Sequence, residues 1–327
     1  MKDTDFLFLT SMLRAREVGM LKIDKINRML EAPEPDDAAK LLLDCGYPDM
    51  SAMSMVQIEN VLQEHRSDIF YEISVYEYAR DLLDLFRIKY DYHNIKVLVK
   101  SAGANVEAPW LLSDSGRFSS EELSEAFVSG QRSDLPPLLA EAMGSAAGIL
   151  SRTGNPQLAD IEIDKAYFGE LSSLAEKLDD DFITGYVRLL IDSANLRITV
   201  RSVRTQRGKE FLSEALIPCG SISMEQIVDS FDENALSPFN DETLENAASL
   251  GAEAIAGGAQ TLFELACDNA VLRYVTDTAY ISFGPAPVIA YLAKLEWEIT
   301  AVRMILTGKL SGISPEVIRE RLRDCHV

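Results

Sequence analysis

Apolar residues recur at helical spacing in the long segments of the chain that contain few glycines and prolines. In residues 68–102, Ile69, Ile73 and Tyr76 begin a series of apolar positions three or four residues apart. Such spacing places the apolar side chains on one face of a helix. The same pattern runs over residues 182–203 and 288–306, while the alternating runs typical of strands are nearly absent. The pattern predicts an all-α protein with helices long enough to pack as bundles.

Three kinds of sequence marker recur in the same order along the chain, at intervals near 100 residues. The first is a hydrophobic residue directly before a short amphipathic helix, at positions 23, 118, 222 and 313. The second begins at Asp68, Asp164 and Asp268, and the third begins at Asn94, Asn195 and Glu298. Ordered recurrence at a fixed interval indicates internal duplication. We therefore predict three similar units, each with two short helices followed by two long ones.

The predicted units divide the chain near residues 117 and 221. Residues 1–117 hold an N-terminal helix over residues 3–20 and the first unit, residues 118–221 the second unit, and residues 222–327 the third. No low-complexity linker separates them, so we expect the units to pack together around an approximate threefold axis.

Local signals mark several helix ends. Ser119 with Glu122, and Ser223 with Gln226, have the spacing of a capping box, in which each side chain satisfies a free backbone N–H of the other residue. Glycine commonly follows the last turn of a helix. Predicted helix-ending glycines are Gly103, Gly154, Gly208 and Gly308.

Charge and composition narrow the possible partners. The 327 residues carry a formal net charge of −21, which disfavours nucleic acid and anionic lipid because both require clustered Lys and Arg. The longest uncharged stretch, residues 278–293, is 16 residues long and contains two prolines, so it is too short to span a membrane. The acidic start does not resemble a signal peptide. Four widely separated cysteines indicate reduced thiols in a cytoplasmic protein; they are Cys45, Cys219, Cys267 and Cys325.

The motifs that would indicate catalysis are incomplete. Lys209 and Lys309 each follow a glycine but lack the other residues of a phosphate-binding loop. The three histidines lie far apart, without the spacing of a metal site. The acidic run at residues 179–181 lacks the second half of a magnesium motif and is better explained as a helix start. We expect no catalytic residue, cofactor or metal, and keep as an alternative an enzyme whose pocket residues are scattered in sequence.

Cationic residues form a stripe at helical spacing. Arg197, Arg201 and Arg204 stand at positions i, i+4 and i+7, and Lys96 and Lys100 hold the equivalent places about a hundred residues earlier. One interpretation is a solvated helix whose bases favour the negative C-terminal end of the dipole. The other is a basic patch that docks an acidic partner surface.

Four segments, taken in order, resemble the C subunit of the bacterial and archaeal V-type (A/V-type) ATPases, the homologue of the eukaryotic V-ATPase d subunit. The first is residues 6–21, with the paired Arg14 and Arg16, although Phe6 and Phe8 stand where the family often has tyrosines. The others are residues 90–96, which resemble a D-x-H-N-L segment, residues 192–197, and residues 290–318. The resemblance covers essentially the whole chain.

The resemblance implies a funnel of three similar helical bundles around a pseudo-threefold axis. It implies a non-catalytic central-stalk subunit that seats the rotor shaft on the membrane proteolipid ring, peripheral on the cytoplasmic face. Such a subunit transmits torque and couples ATP hydrolysis or synthesis to H⁺ or Na⁺ transport. Its partners are the shaft subunits and the ring, with no nucleic acid, cofactor or small-molecule substrate.

The candidate partner interface comprises the paired arginines of the N-terminal helix and the cationic stripe: Arg14, Arg16, Lys96, Lys100, Arg197, Arg201 and Arg204. A free-standing cytosolic helical-repeat scaffold for protein–protein interaction is the alternative interpretation. Its repeats are usually about 34–47 residues long, well below the interval in this chain.

Overall fold

The chain folds into α-helices joined by turns and short 3₁₀ segments, without a strand in the part that is described. A computed structural model describes residues 3–281 and 283–323. The prediction of an all-α protein is confirmed. The helices are α1 (Leu7–Glu17), α2 (Ile23–Glu31), α3 (Pro35–Lys40), α4 (Met55–Ser74), α5 (Arg80–Ala104), α6 (Ser120–Ser129), α7 (Pro137–Thr153), α8 (Pro156–Leu178), α9 (Asp181–Arg204), α10 (Lys209–Ala215), α11 (Met224–Asn234), α12 (Glu245–Ile255), α13 (Gln260–Thr276), α14 (Ala286–Leu310) and α15 (Pro315–Arg319).

The polar helix starts match the predicted capping signals. Both capping boxes are present, at the starts of α6 and α11. A third box, Ser54 with Gln57, begins α4. The acidic run at residues 179–181 contains the N-cap of α9, where the Asp180 side chain accepts a hydrogen bond from the backbone N–H of Ile183 at 3.0 Å.

The glycine predictions were mostly wrong. Of the four predicted glycines, only Gly154 ends a helix, with a left-handed φ of 62°. Gly103 and Gly308 lie inside α5 and α14, and Gly208 is the N-cap of α10. A Cβ at Gly103 would overlap the side chain of Leu150, so this glycine permits close packing of two helices instead of ending one. Asn105 supplies the left-handed residue at the end of α5, with φ of 53°.

The long helices pack in pairs. Helix α5 lies against α8, α9 against α13, and α14 against α4, while α1 packs on α14. Helix α14 is buried along most of its length, including Lys294 and Glu298. One large apolar core includes residues from α1 to α9 and from α13 to α15. A second core, with Leu212, Ile227 and Phe263 at its centre, joins α9–α13.

Candidate partner interface

Side chains of α5, α8, α9, α13 and α14 line a depression between helices of all three predicted units. We call it the central depression and define it by residues 89, 190 and 293 on α5, α9 and α14. Lys89, Leu190 and Ala293 each lie five residues before one of the third sequence markers. The depression has a volume of about 210 Å³ and is open to solvent at one side. Equivalent positions of the three predicted units therefore converge on one place.

A charged cluster on one wall of the central depression surrounds Glu296. Its carboxylate pairs with Arg66 at 3.1 Å and Lys89 at 2.8 Å, and accepts a hydrogen bond from the Tyr90 hydroxyl at 2.7 Å. Burial alone would raise the pKa of Glu296, but the two cations outweigh it and lower the pKa. Arg66 is only 2% exposed, and the Glu296 carboxylate compensates its buried positive charge.

Arg197, from the predicted cationic stripe, also lines the central depression. Its guanidinium binds Glu264 at 2.6 Å and Asp268 at 2.7 Å, both on α13. Arg323, near the end of the described chain, binds the same Asp268 at 2.8 Å. These ion pairs tie α9 to α13 and to the C-terminal segment.

The other stripe residues divide into paired and unpaired side chains. Lys96 contacts Asp164 at 2.5 Å and Lys100 contacts Asp160 at 2.7 Å, which joins α5 to α8. Arg204 donates to the side chain of Gln260. Arg201 is exposed, and within the described residues its side chain has no ion pair or hydrogen bond. It is therefore the member of the stripe most available to a partner.

The two arginines of α1 make contacts that involve no residue of the stripe. Arg14 donates to Glu17 at 2.8 Å and to the backbone carbonyl of Ile281 at 3.4 Å. Arg16 pairs with Glu72 of α4. The contacts with Ile281 and Glu72 hold α1 against its neighbours, and sequence reasoning missed these two partners because they come from distant segments.

Two buried asparagines hold the connections that follow their helices. The Asn94 side chain donates to the carbonyl of Ser113 at 2.8 Å and accepts from its N–H at 2.9 Å. Asn195 makes the same pair of bonds to Ile217, both at 2.8 Å. Backbone groups that are buried need such partners, so each asparagine fixes the path of a connection.

Two buried carboxylates, one turn earlier on the same helices, hold the next few residues of each connection. Asp91 accepts from the backbone N–H of Arg117 at 2.9 Å, and Asp192 accepts from the N–H of Ser221 at 3.0 Å. A Cβ on Gly116 or Gly220 would overlap the Asp91 or Asp192 carboxyl, respectively. Burial raises the pKa of both aspartates. The Arg117 guanidinium is the main group that opposes the shift at Asp91, and backbone N–H bonds oppose it at Asp192.

Glu298 begins the third sequence marker in the last unit, as Asn94 and Asn195 do in the first two. Its side chain bonds to residues of the N-terminal part of the chain. It accepts from the Leu21 N–H at 2.5 Å and from the Tyr47 hydroxyl at 2.8 Å. Burial raises its pKa above the usual 4.5, although both bonds oppose the shift. The folded state therefore holds this proton more tightly than the unfolded state does. Its contribution to stability falls as the pH rises from about 4.5 through the folded-state pKa.

Three further features of the described residues concern metal ligands, cysteines and long apolar helices. Among residues 3–281 and 283–323, no group of His, Cys, Asp and Glu side chains is arranged to hold a metal ion. Cys45, Cys219 and Cys267 are free thiols, and Cys325 lies outside the described residues. Over the same ranges, no helix has both the length and the apolar composition that crossing a bilayer requires.

Comparison with known proteins gives matches along nearly the whole chain. The family described as ATP synthase (C/AC39) subunit matches residues 9–321. The C subunit of the V-type sodium ATPase of Enterococcus hirae is 23% identical, over 97% of this chain and 98% of its own. The C subunits of the A-type ATP synthases of Methanocaldococcus jannaschii and Thermococcus kodakarensis are each 23% identical, over 97% and 98% of this chain and 86% and 90% of theirs.

Proposed function

The chain belongs to the ATP synthase (C/AC39) subunit family, and from this premise we propose that it is the non-catalytic central-stalk subunit of a V/A-type rotary ATPase. In this role it seats the rotor shaft on the membrane proteolipid ring, on the cytoplasmic face. It transmits torque between ATP hydrolysis or synthesis in the soluble head and H⁺ or Na⁺ transport in the membrane.

The order of helix contacts supports a funnel of three units, residues 1–117, 118–221 and 222–327. The last long helix of the first unit, α5, packs on α8 of the second, and α9 of the second packs on α13 of the third. Helix α14 of the third unit packs on α4 of the first, so the series returns to its start. The Glu298 bond to Leu21 joins the same two units.

The observation that carries the proposal is the central depression. Residues of all three units line it, among them the equivalent positions 89, 190 and 293, as expected where three similar walls meet around an axis. A torque-transmitting part must be stiff, and close-packed helices provide low compressibility. The ion pairs around Glu296 and Arg197 further tie the walls together.

Co-purification tests this function directly. The chain is tagged in its native cell, membranes are solubilised in mild detergent, and the bound proteins are identified by mass spectrometry. We expect a proteolipid, a coiled-coil shaft subunit and catalytic ATPase subunits. Recovery of none of these, with the chain wholly in the soluble fraction, would refute the proposal and favour the free-standing scaffold.

A charge reversal tests the exposed part of the cationic stripe. Arg201→Glu removes a cation without breaking an ion pair of the described chain, whereas reversal at Arg197 would break two. We expect Arg201→Glu to weaken assembly, with an effect that shrinks at high salt because exposed charges are screened. The matched control is Arg152→Glu, at an exposed position near the end of α7. Equal assembly of both variants would exclude Arg201 from the interface.

A second variant tests the depression itself. Leu190→Arg places a long charged side chain among the three walls, so we expect loss of the shaft subunits with the helical circular dichroism unchanged. If the shaft still binds with wild-type affinity, it is seated elsewhere.

A further inference from the structure

An apolar groove lies among the C-terminal part of α5, the connection that follows it and helix α6, and we call it the α5–α6 groove. Its volume is about 520 Å³, which is larger than that of the central depression. Its walls include Leu98, Ala102, Phe127 and Val128, and Glu107 is the only charged residue lining it in the described chain. Val128 is 85% exposed, so this apolar surface lies open to solvent.

The corresponding space between α9 and α11 is filled by the chain itself. The connections after α5 and after α9 begin with equivalent backbone hydrogen bonds. The Val106 N–H donates to the Ser101 carbonyl at 3.0 Å, and the Arg207 N–H donates to the Ser202 carbonyl at 2.9 Å. Helix α10 follows the second of these and packs on both α9 and α11. After the first, only a 3₁₀ turn, Pro109–Leu111, is present.

Helix α10 indicates what kind of segment fits the α5–α6 groove. Helix α10 buries Leu212, and Leu216 lies one turn further along, both fully covered. Lys209, at the start of α10, pairs with Asp232 of α11 at 2.9 Å. Counting from the capping serines Ser119 and Ser223, Asp232 is the counterpart of Val128.

The connection that follows α5 is shorter than the one that follows α9. The connection between α5 and α6 covers residues 105–119, and that between α9 and α11 covers residues 205–223. The first is four residues shorter, which is about one turn of helix. In place of a helix like α10, it holds only the 3₁₀ turn Pro109–Leu111.

We propose that the α5–α6 groove binds a short amphipathic helix of a partner protein, in the place that α10 takes between α9 and α11. The helix presents two apolar side chains one turn apart, which is a common mode of recognition in grooves. Its flanking residues are Lys or Arg, because the acidic side chains Glu107, Glu121 and Glu125 are exposed on the groove and on α6. Lys96 and Lys100, which lie nearby on α5, are already paired with α8.

Binding to the groove can be tested with a peptide taken from this chain and followed by the fluorescence of one of its tryptophans. The probe is a lactam-bridged helical peptide with the sequence of residues 207–217, and its control has serine at the two leucine positions. Trp110 is 65% exposed beside the groove, and the second of the two tryptophans, Trp297, is 5% exposed. We expect the probe to shift the Trp110 emission to the blue in a saturable way, and Trp110→Phe to abolish the shift.

Matched variants localise the binding. Ala102→Glu places a charge in the groove, and Ala104→Glu places the same charge on an exposed position of α5 outside it. We expect at least tenfold weaker binding by Ala102→Glu and by the serine peptide, and unchanged binding by Ala104→Glu. Absence of a saturable shift, or equal binding by both variants, overturns the proposal.

Assembly gives a second test that uses the intact complex. Val128→Cys is labelled with a maleimide in the isolated chain and in the purified assembly, and labelling is read by peptide mass. Protection only in the assembly supports a partner helix in the groove, whereas equal labelling contradicts it. Self-association of the wild-type chain that Ala102→Glu abolishes, seen by sedimentation, would assign the groove to a second copy instead. The peptide test stands even if the complex proves not to be a rotary ATPase.

Discussion

Replacing Asn195 by leucine tests whether the buried asparagines hold the connections between units. The Asn195 side chain is fully buried and bonds both the N–H and the carbonyl of Ile217 at 2.8 Å. Leucine has a similar size but can make neither bond. The variant therefore leaves two buried backbone groups without partners.

The expected loss follows from those two groups. Each unpaired buried donor or acceptor costs about 1–3 kcal/mol, and two such groups are left. The added apolar burial of leucine offsets part of this cost, so we expect the free energy of unfolding to fall by about 2–4 kcal/mol. With an unfolding entropy of about 2.1 cal/mol/K per residue over 327 residues, the loss corresponds to a fall in Tm of about 3–6 °C. Amide exchange at Ile217 should also accelerate.

Thermal unfolding followed by circular dichroism, together with hydrogen exchange, measures both effects. The control is Asn60→Leu, at an exposed position of α4, which should change stability by less than about 0.5 kcal/mol. An Asn195→Leu chain that melts within about 1 °C of wild type, with unchanged exchange at Ile217, would refute this role of the asparagine.

Three further substitutions test the neighbouring contacts by urea unfolding. Gly220→Ala should cost about 1–3 kcal/mol because its Cβ overlaps the Asp192 carboxyl; Gly148→Ala, which has room in α7, should not destabilise, and equal effects would argue against the overlap. Glu298→Gln removes a titrating group whose folded-state pKa is raised. The stability of the variant relative to wild type should therefore increase as the pH rises from about 4.5. A difference in unfolding free energy between the two proteins that stays constant from about pH 4.5 to 8 would contradict this. Glu296→Ala should cost about 3–5 kcal/mol because it leaves a buried guanidinium unpaired, and a loss under about 1 kcal/mol would show that solvent replaces the carboxylate.

Local sequence was sufficient for the features that depend on neighbouring residues. The period of the apolar positions predicted the long helices, because a helix brings every third or fourth side chain to the same face. The capping boxes at Ser119 and Ser223 were also predicted correctly, since both partners lie within one turn. The markers at Asn94 and Asn195 pointed to residues that have equivalent backbone contacts.

Glycine shows where a local signal has two meanings. The same residue type ends a helix at Gly154 and allows two helices to approach at Gly103. Which meaning applies depends on the neighbour in space, here Leu150. That neighbour comes from a helix whose position the sequence around Gly103 does not encode.

The sequence by itself therefore determined the helices, their polar starts and the recurrence of similar segments. Only the tertiary structure decided which cationic side chains remain available to a partner. Arg197 binds Asp268 on another helix, 71 residues away. Arg201, one turn further along α9, has no acidic partner in the described chain. Likewise, the missing counterpart of α10 became a groove only when α5 and α6 were placed side by side. Periodicity specifies the face of a helix, but packing of the whole chain selects what lies against that face.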